Sequence, residues 1–259
     1  MATLREGDTM RQLICAIVLA AFSALAGAAE IVVFCPGAVQ TIVTGLGKDF
    51  TQATGHTIKF AYGTAGSVAK RVADGEDGDI VISTAQLLAN LAKSGQVAGD
   101  GIRNLGSMGV GVAVRAGAAR PDVSTVAAFK AAMLAARTIT YADPAHGGQS
   151  GIHVAKVFEQ LGIARELQPR LQLRPGAPQA FIEVARGDIE IGLGQISEIL
   201  ANKGLVLVGP LPREIQNSVT FSVALHGRVK ANDAARALVE FLTSPDAIER
   251  FKAAGFEVN

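Results

Sequence analysis

Thr57-Ile58-Lys59-Phe60-Ala61-Tyr62, then Gly63-Thr64-Ala65-Gly66-Ser67, then a helical stretch carrying Lys70 and Arg71, then Asp79-Ile80-Val81-Ile82-Ser83, is the segment that decides the fold. Two β-branched runs enclose a glycine- and hydroxyl-rich turn and a helix, the repeating unit of an α/β sheet. The alternation continues outward in both directions. Strand candidates are 30–34, 57–62, 79–83, 109–115, 138–142, 189–193, 205–208 and 219–225. Between them, apolar residues recur at helical spacing: Val39, Ile42, Val43 and Leu46; Val154, Val157, Phe158 and Leu161; Ala235, Leu238, Val239 and Leu242. Gly55 reads as a helix stop and Ser244-Pro245 as a helix start. The expectation is an α/β fold with largely parallel sheets.

In such sheets ligands bind beyond the carboxyl ends of strands, where helix N-termini present unpaired N–H groups. Four junctions qualify: Cys35-Pro36-Gly37-Ala38 running into Val39, Gly63 to Ser67, Asp143 to Gly151, and Gly194-Gln195-Ile196-Ser197-Glu198. Together they suit an anion held by backbone N–H groups and hydroxyls. Singly, each is also what a tight turn or helix cap requires.

Upstream, Arg11 precedes a charge-free apolar stretch from Leu13 to Leu25 and then Ala26-Gly27-Ala28-Ala29, the order of a secretory signal peptide. Arg5, Glu6 and Asp8 sit oddly before it, and Met10 reads as the initiator. The apolar core is shorter than the roughly 20 residues of a spanning helix, so residues 1–28 are expected to be cleaved and the rest to work in the periplasm with no membrane insertion. Cys15 lies within the leader, not directly after its apolar run, so no lipid anchor is implied. About 230 residues remain, enough for one large domain or two lobes.

After cleavage Cys35 is the one remaining cysteine, so stability must come from core packing and not from an internal disulfide. A net charge of +1 offers no basic field for nucleic acid or anionic lipid. With no Trp and with Tyr62 and Tyr141 alone as tyrosines, stacking platforms for a sugar are largely missing, and a small polar ligand fits better.

Glu30-Ile31-Val32-Val33-Phe34, Tyr62 to Ser67, Gly75 to Ser83, Ala142-Asp143-Pro144, and the closing stretch Phe241 to Pro245 through Gly255-Phe256 together resemble the molybdate-type periplasmic solute-binding proteins. The resemblance covers nearly the whole mature chain in order. It implies a two-lobed periplasmic binding protein type II fold, with lobe I from 29–108 and 209–259, lobe II from 109–208, and the ligand in the cleft. It also implies a monomer that delivers its ligand to an ABC permease. Departures are as informative as matches. Gly37-Ala38-Val39 stands where the family has a Ser, and Gln195 where it has a Tyr, which points from molybdate toward an organic carboxylate. Ligand residues on this reading are Gly37, Ala38, Val39, Thr64, Gly66, Ser67, Gly148, Gln149, Ser150, Gln195 and Ser197.

The family also has an enzymatic branch, aconitate isomerase, which the chain resembles in the same segments. Moving a double bond by proton transfer needs a base and a field that holds the developing negative charge. His146 and Glu198 are the candidate bases, against the plainer readings of a solvated loop residue and a first-turn acid on the helix dipole. The expectation is therefore a binder of small anions, with an isomerase as the alternative.

Other chemistries fit less well. Gly148-Gln149-Ser150-Gly151 is followed by Ile152 where a hydrolase elbow needs Gly. Gly47-Lys48 lacks the rest of a phosphate loop. His146 and His153 show no metal-ligand pattern, and neither metal nor cofactor is implied. Lys70 and Arg71 read as surface charges, with anion steering as the alternative. Cys35 reads as a small buried hydrophobe rather than a nucleophile.

Overall fold

The computed structural model describes residues 28–228 and 232–258; the leader read over 1–28, with Met10 and Cys15, lies outside the described residues but for Ala28. In chain order the first elements are β1 (Glu30–Pro36), α1 (Gly37–Thr54), β2 (Thr57–Gly63), α2 (Ala65–Ala73), β3 (Ile80–Thr84), α3 (Ala85–Lys93), β4 (Arg103–Met108) and β5 (Val110–Arg115). Then come α4 (Val126–Ala135), β6 (Ile139–Thr140), α5 (Gln149–Gln160), α6 (Ala164–Leu167), α7 (Ala177–Arg186), β7 (Ile191–Gln195), α8 (Ile196–Leu200) and β8 (Leu205–Pro210). The chain closes with β9 (Val219–Leu225), α9 (Asp233–Leu242) and α10 (Pro245–Ala253).

Two lobes result, each built on its own sheet. The first has the order β2-β1-β3-β9-β4 and the second β6-β7-β5-β8. Both are mixed rather than largely parallel: β1 pairs in parallel with β2 and β3, and β6 with β7, whereas β9 and β5 pair antiparallel with both their neighbours. The reason lies in the connections. β4 and β5 join through Gly109 alone, and β8 returns to β9 over 211–218, so strands near these crossings enter without a helical crossover to turn them parallel. β4 escapes the sequence pattern because Arg103-Asn104-Leu105-Gly106-Ser107-Met108 has neither β-branching nor strict alternation.

β1 is nearly continuous apolar sequence because both its faces are covered. Ile31, Val33 and Cys35 pack with Val39, Val43, Leu46 and Phe50 of α1, while Phe34 packs on the other face with Val68, Val72 and Leu88. The second lobe has its own core around Val112, Phe129, Phe158 and Leu193. α1 ends at Gly55, whose left-handed φ of 77° closes the last turn onto the Thr51 carbonyl.

Asp79 ties the first lobe's distant chain segments together. Its Oδ2 accepts from the Val32 N–H at 2.8 Å, its Oδ1 accepts from Asn232 Nδ2 at 2.8 Å, and its carbonyl accepts from the His226 N–H at 2.9 Å. Asn232 in turn caps α9 by accepting from the Ala235 N–H. Asp79 thus links β1 and the start of α9 through its carboxylate and the end of β9 through its backbone carbonyl.

Where the chain crosses between lobes, Gln216 supplies a substitute peptide group. Its Oε1 accepts from the Val110 N–H at 2.9 Å and its Nε2 donates to the Val110 carbonyl at 2.8 Å. The two crossing segments are therefore hydrogen-bonded to each other through a side chain.

Asp79→Ala leaves the Val32 N–H and the Asn232 amide without their acceptor and should lower unfolding free energy by about 1–3 kcal/mol. Denaturant unfolding of the purified protein reads this directly, and an unchanged midpoint would remove Asp79 from this role.

Candidate functional site

A cavity of about 450 Å³ lies between the lobes. Pro36, Gly37, Ala38 and Gln40 form one side and Gly63, Thr64 and Ser67 the next, with Tyr62 at the same junction. His146, Gly148, Gln149 and Ser150 come from the second lobe, as do Gln195 and Glu198. The strand–loop–helix junctions named from the sequence thus meet in one place.

Most helices that begin here lack a side-chain cap; α2, capped by Thr64, is the exception, and α8 starts uncapped after Gln195. Away from the cavity only the short α6, after Ile163, is uncapped among the described α-helices. α1, α5 and α7 start after Pro36, Gly148 and Gly176 with no side-chain cap. α3, α4, α9 and α10, whose starts lie away from the cavity, are capped by Thr84, Thr125, Asn232 and Ser244. An uncapped start leaves first-turn N–H groups in want of an acceptor and places the positive end of the helix dipole there. Three such starts around one cavity favour an anion, and no Lys or Arg is among the residues lining it. Gly147-Gly148 before α5 and Gly176-Ala177-Pro178 opening α7 are sequences that cannot cap with a side chain.

Residues read from the sequence as ligand contacts divide into two sets. Gly37, Ala38, Thr64, Ser67, Gly148, Gln149, Ser150 and Gln195 line the cavity. Val39, Gly66 and Ser197 do not. Val39 is wholly buried in the first lobe's core, because the helical turn rotates its side chain away from the N-terminus. Gly66 spends its N–H on the Gly147 carbonyl at 3.1 Å. Ser197 donates its hydroxyl to the Ala38 carbonyl at 2.7 Å. Even within the lining set, Ser67 is committed to a capping box: its N–H donates to Thr64 Oγ1 and its hydroxyl accepts from the Thr64 N–H.

Sequence reasoning missed the wall formed by Pro175-Gly176-Ala177-Pro178-Gln179 at the start of α7. Gly followed by Pro at the second helical position was the available signal.

Glu198 is the most unusual group in the cavity. It sits in the first turn of α8, and its Oε1 lies 2.6 Å from where a Cβ on residue 37 would stand, so only glycine at 37 lets the carboxyl come this close to α1. Burial raises its pKa from the ordinary carboxylate range to about 7, against the opposing hydrogen bond from the Gln195 backbone N–H. Next to it Gln195 is buried, and its Oε1 has no partner among the described residues. His146 is more open: its side chain is half exposed, with Nδ1 3.6 Å from Asp143 Oδ2. Cys35 is fully buried, and burial pushes its thiol far above the usual range, which suits a small hydrophobe.

Among the described residues no three of His, Cys, Asp and Glu gather as metal ligands, and no helix is long and apolar enough to cross a membrane.

The chain is 30% identical over 227 residues to the aconitate isomerase of a Pseudomonas species, covering 85% of both chains. It is 24% identical over 239 residues to the molybdate-binding protein ModA of Escherichia coli K12, covering 91% of this chain and 92% of that one. Among solved structures, the periplasmic molybdate-binding protein of Azotobacter vinelandii superposes with a TM-score of 0.73 at 18% identity, over 89% of this chain and 99% of that one. Peb3 of Campylobacter jejuni superposes with a TM-score of 0.64 at 14% identity, over 88% of this chain and all of that one. Residues 31–257 match the bacterial extracellular solute-binding proteins, and with two lobes around an anion-favouring cleft the chain belongs to that family.

Proposed function

We propose that the protein captures a small organic polycarboxylate between its lobes and moves a double bond along it by proton transfer, as the name of its aconitate isomerase relative suggests. Glu198 carries this reading. A site that only held an oxyanion would gain nothing from a half-buried acid with no cation beside it, since ionisation would repel the ligand. A general base is most useful when its pKa lies near working pH, and Glu198 stands at about 7.

The proposed steps need no outside reagent. Glu198 takes a proton from the methylene carbon next to a carboxylate. The C–H electron pair spreads as an allylic anion into the conjugated carboxylate, held by the uncapped starts of α1, α5 and α7. Glu198 then returns the proton to the former vinyl carbon, and the double bond has shifted by one position. His146 stands at the cavity rim as the second candidate for proton exchange.

The bodies that close are proposed as 29–108 with 209–259 and 109–208, in a monomer exported to the periplasm by the leader over 1–28. A second reading is supported by the ModA relatives: capture of the same carboxylate, without turnover, for delivery to an ABC permease.

Purified protein incubated with cis-aconitate should produce trans-aconitate, followed by chromatography, with deuterium entering the product in D2O. Absence of turnover, together with thermal stabilisation by aconitate, would leave the binder reading. Stabilisation by molybdate or sulfate and not by carboxylates would sink the polycarboxylate altogether. Glu198→Gln should lower turnover by about 10²–10⁴-fold while still binding the substrate.

The same substitution has a pH signature in the ligand-free protein. The folded state holds the Glu198 proton more tightly than the unfolded chain, so there is no cost below pH 4.5. Stability is lost as pH rises from 4.5 to about 7. Above pH 7 the full cost is roughly 3 kcal/mol, so Glu198→Gln should be the more stable protein there by about that amount. Melting curves at pH 4 and pH 8 test it, and an equal gap at both would argue against a raised Glu198.

A further inference from the structure

The first turn of α2 and the loop before α5 meet across the cleft at two glycines. The Gly66 N–H donates to the Gly147 carbonyl at 3.1 Å, and the Thr64 hydroxyl donates to the His146 carbonyl. The approach leaves no room for side chains. A Cβ on Gly66 would stand 2.7 Å from both the Cα and the carbonyl oxygen of Gly147, and a Cβ on Gly147 would stand 2.8 Å from the Gly66 Cα. Gly147 also needs glycine for its left-handed φ of 71°. At the α1–α8 side, the buried Ser197 hydroxyl donates to the Ala38 carbonyl at 2.7 Å.

These contacts join the lobes to each other and use no ligand atom. They also consume two groups, the Gly66 N–H and the Ser197 hydroxyl, that an anion could otherwise have used. We propose that the Thr64–Gly66 to His146–Gly147 contact is a ligand-independent clasp that, with Ser197 on Ala38, holds the lobes closed when the cleft is empty. The device would act whichever small anion the cleft takes, and whether or not that anion is turned over. Its consequence differs between the two uses of the fold. A permease that reads closure as a loaded state would be misled by an empty closed form. A reaction chamber loses nothing by resting shut and opening briefly to exchange substrate and product.

Gly66→Ala is the cleanest probe, because the three atoms nearest the added methyl all belong to Gly147 in the other lobe. The mature protein is refolded from denaturant to strip any ligand and studied by small-angle X-ray scattering. The wild type should match the closed form, with a radius of gyration of about 17 Å for a compact chain of this length, and Gly66→Ala should be larger by about 1 Å. Circular dichroism identical to wild type accompanies the measurement. Should Gly66→Ala fail to fold, Ser197→Ala on the other side serves in its place and should show a smaller expansion. A ligand-free wild type already more open than the closed form overturns the proposal, as does a folded Gly66→Ala, or its substitute, that scatters like wild type.

Discussion

A helix start without a cap leaves first-turn N–H groups in want of an acceptor, and this protein gathers three such starts, from α1, α5 and α7, around one cavity. Water can satisfy those N–H groups when the cleft is empty, and an anion satisfies them better because the aligned peptide dipoles add a field. No lysine or arginine joins the lining, so charge complementarity comes from the backbone. The choice suits a chain whose formal charge is +1. Affinity is set by the placement of fixed amides, which lose little freedom when a ligand arrives.

Glu198 cuts against that field. It brings a carboxyl into a cavity otherwise arranged for negative charge, and burial holds it at about 7, where it can exist in either form. Gly37 is the accommodating partner: a side chain there would meet the carboxyl oxygen. A scaffold made to hold an anion thus carries one group able to take a proton from it. Such an arrangement shows how short the step from capture to chemistry can be.

Most of the fold was legible. β-branched runs marked eight of the nine strands, because buried strands in α/β sheets are nearly continuous apolar sequence. Arg103–Met108 was not legible, since its place in the sheet depends on pairing with β9 from the far end of the chain. The site was legible at the level of loops and less so at the level of atoms. Glycine, serine and threonine at a junction announce hydrogen bonding without naming the partner. Only the packed structure shows that Ser67 caps its own helix, that Ser197 reaches Ala38, and that Gly66 faces Gly147. The start of α7 was missed because a Gly-Ala-Pro sequence carries no functional side chain; its contribution is backbone. Glu198 was visible as a candidate, but its burial was not.

Gln216 carries a last implication. Because it hydrogen-bonds both polar groups of Val110 with one amide, the crossing between the lobes is stitched by a side chain on rotatable single bonds and not by a rigid strand ladder alone. Such a joint behaves mechanically as a flexure: the pairing can tilt while keeping both bonds, and stiffness is decided by torsions of one residue. The protein therefore has a place where the ease of bending could be retuned by point substitution without touching either lobe's core or the cavity wall.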